Sequence, residues 1–316
     1  MGHRLWHTKG VRVSEQVADA FAYCREVTKT HAKNFYYAFM FLPKPKREAI
    51  YAVYAFCRYC DDIADGDYAP EDRPDMLKAD LLKAWRQELD NCYAGQPTHR
   101  ITQALHDVVQ RYDLPKHYFE ELMRGVEMDF DIQRYSTFAE LEQYCYRVAS
   151  VVGLLCIEIF GYRHAGVREY ARLIGISLQL INIMRDVKED VETGRIYLPL
   201  EDLQTFNYAE ADLQQQRYTA EFVTLMQFQA QRAEDYYRRA QASLMPGDKW
   251  NLVTPEIMAG IYRATLRRIQ HRDYDVFAGR VSLPVLNKVF IAFRVFLKIW
   301  AETHLIPHRK PSFPKA

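Results

Sequence analysis

Helix-period patterning runs almost unbroken through the 316 residues, and it limits the fold more than any other feature. Apolar residues recur at three- and four-residue steps over roughly 14–31, 44–65, 74–93, 99–111, 115–129, 137–160, 166–192, 220–244, 254–271 and 282–301. Glycine and proline, 13 of each, are too few for a turn-rich β architecture. No segment alternates as a strand would. Turn chemistry falls between the periods, in DGDYAPEDRP, AGQPT and MPGDK. Thr254-Pro255-Glu256 reads as a helix start, with a capping hydroxyl, a proline in the first turn and an acid beside the dipole. No linker or repeat divides the chain. The pattern predicts one all-α domain over residues 1–305 and a disordered tail over 306–316.

Composition removes several classes of function. A net charge of +1 gives no electrostatic case for nucleic acid. The six cysteines are scattered, so a disulfide framework is not expected. Cys57 and Cys60 form one C-x-x-C, but a zinc site needs a second ligand pair and none stands out. The N-terminus lacks an apolar signal region, and no run of 18 apolar residues marks a spanning helix. Val285 to Trp300 comes nearest and is interrupted by Lys288, Arg294 and Lys298. Such a helix can pack on the body or lie on a membrane surface, and packing is preferred. The expectation is a cytoplasmic protein, with peripheral membrane contact left open.

Two segments turn an apolar stripe into an acidic one. In YAVYAFCRYCDDIAD, Ile50, Val53, Tyr54 and Cys57 follow the steps of a buried face. The same face continues to Asp61 and Asp65, while Asp62 points elsewhere. In ISLQLINIMRDVKED, Gly175, Leu178, Asn182, Asp186 and Asp190 share a face, with Glu189 beside them. Isolated acidic clusters near helix ends are usually solvated. Here, however, the acids repel at i, i+4 by roughly 0.2–0.5 kcal/mol per pair. They also continue buried stripes, where unpaired carboxylates are costly. A cation would answer both problems, and carboxylates with an Asn carbonyl are hard oxygen ligands of the kind Mg2+ takes. Arg58, Arg185, Lys188 and Arg195 flank the acids. Any one of them could be a surface ion pair, but together they suit a site that holds diphosphate as well as metal.

The surrounding words are narrower than this chemistry. AIYAVYAFCRYCDDIAD, YCYRVASVVG and QLINIMRDVKEDVETGRIYLPLEDL resemble the squalene/phytoene synthase family, from about His31 to Arg280. The resemblance implies an isoprenoid-synthase helical bundle with a central cavity. It implies ligation of more than one Mg2+, completed by substrate diphosphate, at Asp61, Asp65, Asp186 and Asp190, with Asn182 also a ligand and Gln179 lining the site. Tyr144 matches a tyrosine placed near the reacting carbons. Arg58, Arg185, Arg195, Tyr262 and Arg280 match positions that hold or approach diphosphate. HAKNFYYA, with His31 and Lys33, resembles the family's phosphate-contacting H-S-x-x-F segment, although Ala32 stands where serine is common. Val148, Val152 and Gly153 fall in the recognised words as cavity residues. On their own they would be ordinary helix packing, as His31 would be a cap and the tyrosines core residues.

The implied activity is Mg2+-dependent head-to-head condensation of two prenyl diphosphates. GVEMDF around Asp129 and VASVVGLLCIEIFGY look closest to bacterial members that convert farnesyl diphosphate to presqualene diphosphate for hopanoids. The alternatives are phytoene formation from geranylgeranyl diphosphate and full squalene synthesis with NADPH. No glycine-rich dinucleotide fingerprint follows a strand, which leaves NADPH open because helical members bind it without one. A head-to-tail prenyltransferase or terpene cyclase would share the metal chemistry, and the length of the third word argues against both. A helical scaffold or membrane-surface protein is the non-enzyme rival. Patterning sets neither substrate length nor oligomeric state.

Overall fold

A computed structural model describes residues 15–32, 36–66 and 76–305. The first half comprises α1 (Glu15–His31), α2 (Tyr36–Phe39), α3 (Lys44–Asp65), α4 (Lys78–Tyr93), α5 (Arg100–Tyr112), α6 (Lys116–Asp131), α7 (Phe138–Cys145) and α8 (Val151–Phe160). The second half comprises α9 (Gly166–Arg185), α10 (Val187–Glu192), α11 (Leu200–Thr205), α12 (Glu210–Gln214), α13 (Ala220–Ser243), α14 (Val253–Gln270) and α15 (Val285–His304). Among the described residues there is no strand, only one isolated bridge between Arg134 and Ile196. Lys33 and the tail 306–316 lie outside the described residues.

The predicted periods hold, with three informative departures. The helix expected over 137–160 is interrupted by a π turn, Tyr146–Ser150, between α7 and α8. Wide turns of this kind are common at functional sites. This one lies where α9 crosses most closely: a Cβ on Gly175 would sit 2.6 Å from the Ser150 Cα. The Ser150 hydroxyl also donates to the Arg172 carbonyl at 2.6 Å. The helix expected over 166–192 breaks at Asp186, whose φ and ψ are −102° and 13°. The third departure is the expected cap at Thr254. Helix α14 begins at Val253 instead, and the Thr254 hydroxyl, fully buried, donates to the Ala38 carbonyl at 3.5 Å. Proline in the first turn therefore holds, but the capping role does not.

Helix α9 runs through the centre of the bundle. It packs along α13, α8, the π turn and α14, while α3 packs on α1, α5, α6 and α8. One large apolar cluster joins these elements, and a smaller one under α15 joins Val253, Ile257, Ile261 and Ala292 with Ala38 of α2. Helix α3 ends immediately after Asp65. Gly66 adopts φ 82°, and its N–H returns to the carbonyls of Asp62 and Ile63. Glycine takes that left-handed geometry without a Cβ clash, which fixes the end of α3 beside its acids.

One stretch, Phe138–Phe160, is long and apolar enough to span a bilayer by composition, which the sequence reading did not anticipate. Half of its most apolar window is buried in the bundle, and it carries the π turn, so it is the core of this fold.

Candidate active site

Partly accessible side chains on otherwise buried stripes trace the central cavity. They are Tyr54, Cys57 and Asp61 on α3, Val148 on the π turn, Val152 and Cys156 on α8, and Leu178, Gln179 and Asn182 on α9. Asp61 is accessible by area, yet burial pushes its carboxyl up to about 7. Arg58 pulls it down, and Asp65, Asp129 and Asp62 add to the rise. A carboxylate that meets solvent and is still desolvated lies in a concave wall. Cys156 on the facing helix shows the same combination, its thiol pushed up to about 12 by burial.

The two acidic stripes meet at the end of this cavity, and Asp129 and Arg195 join them. Arg195 lies 3.7 Å from Asp65 and holds Asp190 down from a site where burial, then Asp186, push it up to about 7. Asp129 raises both Asp61 and Asp190, and its own carboxyl is raised chiefly by burial. The four predicted aspartates therefore share one electrostatic neighbourhood, although Asp65 and Asp186 are about 120 residues apart in sequence.

The aspartates fall into two kinds. Asp186 is held by arginine: Arg185 Nε reaches Oδ1 at 2.8 Å with Nη2 on the other oxygen, and Arg280 Nε reaches Oδ1 at 2.9 Å. Asp62 is likewise paired with Arg58 one turn away. Among the described residues, Asp61 and Asp190 have no ion pair. Asn182 donates to Gln179 at 3.2 Å, while its Oδ1 is buried without a hydrogen-bond partner, as is Glu189 Oε2. Tyr262 lies buried beside Arg185 and Asn182.

These residues fit Mg2+. The orphaned oxygens and raised carboxyls are unsatisfied oxygen acceptors that a cation would meet, and all are hard donors. Among the described residues no three acids converge on one point, which suits an ion completed by water and phosphate rather than by a protein cage.

Tyr144 Oη donates to Asp129 Oδ2 at 3.0 Å, and Tyr197 Oη donates to Oδ1 at 2.8 Å. Their rings stack at 5.1 Å, with Tyr135 beside both. Burial, then the Asp129 charge, holds the Tyr144 phenol neutral well above its ordinary range.

Other expected residues are placed differently. His31 is exposed at the end of α1 and, among the described residues, makes no hydrogen bond or ion pair. Lys188 is spent on the Phe277 carbonyl at 3.1 Å. Gly153 serves the crossing of α8 and α9, since a Cβ there would sit 3.0 Å from the Ala171 carbonyl oxygen. Asp129 was not among the expected site residues. The signal was present, because Leu122 and Val126 make it a third acid continuing a buried stripe. Tyr197, in a loop, carries no periodic signal.

Known proteins resemble the chain over most of its length. The squalene/phytoene synthase family model matches residues 28–287. The chain is 37% identical to a phytoene synthase of Arthrospira platensis over 288 residues, covering 86% of this chain and 91% of that one. A solved dehydrosqualene synthase in complex with a ligand superimposes with TM-score 0.81 at 30% identity, covering 92% of this chain and 100% of the other. Squalene synthase HpnC from Alicyclobacillus acidocaldarius gives TM-score 0.73 at 29% identity, over 84% and 97% of the two chains. The fold is the all-α isoprenoid synthase fold. With matches spanning both acidic stripes and the tyrosine between them, the chain belongs to the squalene/phytoene synthase family.

Proposed function

We propose that the protein is a Mg2+-dependent prenyltransferase that joins two prenyl diphosphates head to head. One observation carries the reading: two unpaired carboxylates on separate helices, Asp61 and Asp190, share Asp129 and Arg195 as neighbours at the mouth of an apolar cavity. Mg2+ held by Asp61, Asp65, Asn182, Asp186 and Asp190 would supply Lewis-acid neutralisation of the leaving diphosphate.

The protein's own residues do the rest. Arg185, Arg280 and Arg58 exchange their carboxylate partners for phosphate oxygens, which their planar forks match. Arg195 faces the same mouth from the other side. The apolar walls exclude the water that would quench an allylic cation, and the stacked faces of Tyr144, Tyr197 and Tyr135 shield it. Tyr144 is neutral and already donates to Asp129, so it cannot act as a phenolate base. A proton arriving at Tyr144 Oη from the coupled carbon skeleton is matched by passage of the phenol's own proton to Asp129 Oδ2.

Relatives support the longer substrate. Likeness to the Arthrospira platensis phytoene synthase over most of both chains supports two twenty-carbon geranylgeranyl diphosphates and phytoene. Two farnesyl diphosphates giving presqualene diphosphate is the second reading, supported by likeness to dehydrosqualene synthase and HpnC. Purified protein with Mg2+ and each substrate, with and without NADPH, resolves them by mass spectrometry. Phytoene from the twenty-carbon substrate is expected. Coupling of farnesyl diphosphate alone moves the assignment to the second reading, and no coupled product from either overturns both.

A further inference from the structure

A second concave site lies on the opposite face of α14 from Tyr262, between α13, α14 and α15. It is a groove of about 230 Å3, and none of the catalytic aspartates lines it. Its floor is apolar, made by Leu244, Ile291, Val295 and Ile299, and Gly260 lets α15 approach closely, its would-be Cβ 3.1 Å from Ile291. Its rim carries five cations against two carboxylates, and three of the cations have acidic partners: Arg263 lies 3.2 Å from Glu234, and Lys249 and Lys298 share Glu302. Both carboxylates are already engaged. Glu256 accepts from Tyr170 at 2.6 Å and Gln241 at 2.7 Å, and Glu302 accepts from Lys249 at 2.8 Å with Lys298 at 3.8 Å. Arg267 and Arg294 are exposed and have no ion pair among the described residues.

The groove opens beside an uncovered apolar stripe. Leu286, Phe290, Phe293, Leu297 and Trp300 follow four- and three-residue steps along α15, and Leu286 and Phe290 are 81% and 65% exposed. At about 100° per residue, Arg294 and Lys298 stand roughly 80° and 120° round the helix from Leu286. The cations thus lie between the stripe and the groove, while Lys288 is buried and takes no part.

Basic charge bordering an exposed apolar face is the pattern of an interfacial helix. We propose that this end of the molecule docks on an anionic lipid bilayer, with the α15 stripe in the headgroup boundary and lipid phosphates in the groove between Arg267, Arg294 and Lys298. A second copy fits poorly, because a two-fold contact would set basic rim against basic rim. The chain after residue 305 fits poorly too, since it carries Arg309, Lys310 and Lys315 and no acid. This inference does not depend on the catalytic reading.

The test is flotation of full-length protein with vesicles free of prenyl diphosphate, of phosphatidylcholine alone or mixed with phosphatidylglycerol. Binding is expected on the anionic vesicles, weakened by salt and not displaced by millimolar glycerol phosphate. Arg294→Gln with Lys298→Gln should lower partitioning about fivefold per charge. Phe290→Ser with Phe293→Ser should abolish it, and circular dichroism should report an unchanged helical fold. Failure to float with anionic vesicles at low salt overturns the proposal. So does flotation unchanged in both variants, displacement by glycerol phosphate alone, or a dimer in sedimentation that the Phe290→Ser, Phe293→Ser variant dissociates.

Discussion

Binding of Mg2+ to this protein should release protons, in a number set by pH. Asp61 and Asp190 both titrate near pH 7 in the metal-free fold, because burial outweighs the arginines nearby. At pH 7 the two acids together hold about one proton, and a cation that needs both carboxylates must expel it. At pH 8 the pair is mostly ionised, and at pH 6 mostly protonated. Metal affinity should therefore fall with acid, most steeply below pH 7. Fold stability follows the opposite sign. A carboxyl raised in the fold above its unfolded value near 4 costs stability as pH rises from about 4 to 7, because the unfolded chain ionises first. Mg2+ should restore that loss, so its thermal stabilisation should grow across the same window. The assay is titration calorimetry of Mg2+ in buffers of different ionisation enthalpy at pH 6, 7 and 8, with Asp61→Asn and Asp190→Asn as controls in which metal binding and its proton release fall together. An enthalpy independent of buffer at pH 7, or a release that does not shrink by pH 8, would refute the reasoning.

Three further outcomes follow from single contacts. Gly175→Ala places a Cβ 2.6 Å from the Ser150 Cα, backbone against backbone, and should cost about 1–3 kcal/mol in chemical denaturation while slowing turnover through the displaced π turn. Glu88 accepts from Thr98 N at 2.7 Å and His99 N at 2.8 Å, with the Thr98 and Thr102 hydroxyls, in a role that is structural. Burial acts against its ionised form, but these hydrogen bonds win and hold its carboxyl below the usual range. Glu88→Gln should lose about 1–3 kcal/mol at neutral pH, a difference that shrinks as pH falls from the unfolded chain's glutamate value of about 4.3 through the lower value of the folded carboxyl. Asp129→Asn and Tyr144→Phe should each slow coupling by about 10²-fold or more, with smaller effects on substrate affinity, as read by separating kcat from KM.

Periodicity made most of the fold legible, since helix propensity and core burial coincide along α3, α6, α9 and α13. It missed what depends on contacts between helices. The π turn exists where Gly175 lets α9 press on Ser150, and the break at Asp186 coincides with arginines arriving from either side, one of them 94 residues on. The aspartates were visible because each continues an apolar stripe, and Asp129 obeys the same rule. Their division into arginine-held and unpaired kinds was not visible, because Arg280 and Arg195 reach their partners through loops. Lys188 is the reverse case: it flanks the acids in sequence, while the fold turns it to the Phe277 carbonyl.

The central claim is that the two acidic stripes form a single metal–diphosphate site. Mg2+-dependent release of diphosphate from a prenyl diphosphate, measured for the wild type and for Asp61→Asn and Asp186→Asn separately, tests it most directly. Release should be abolished by chelator and lowered at least about 10²-fold in either variant, because each removes a ligand of the same site. Wild-type release in either folded variant, or release that persists in chelator, would contradict it.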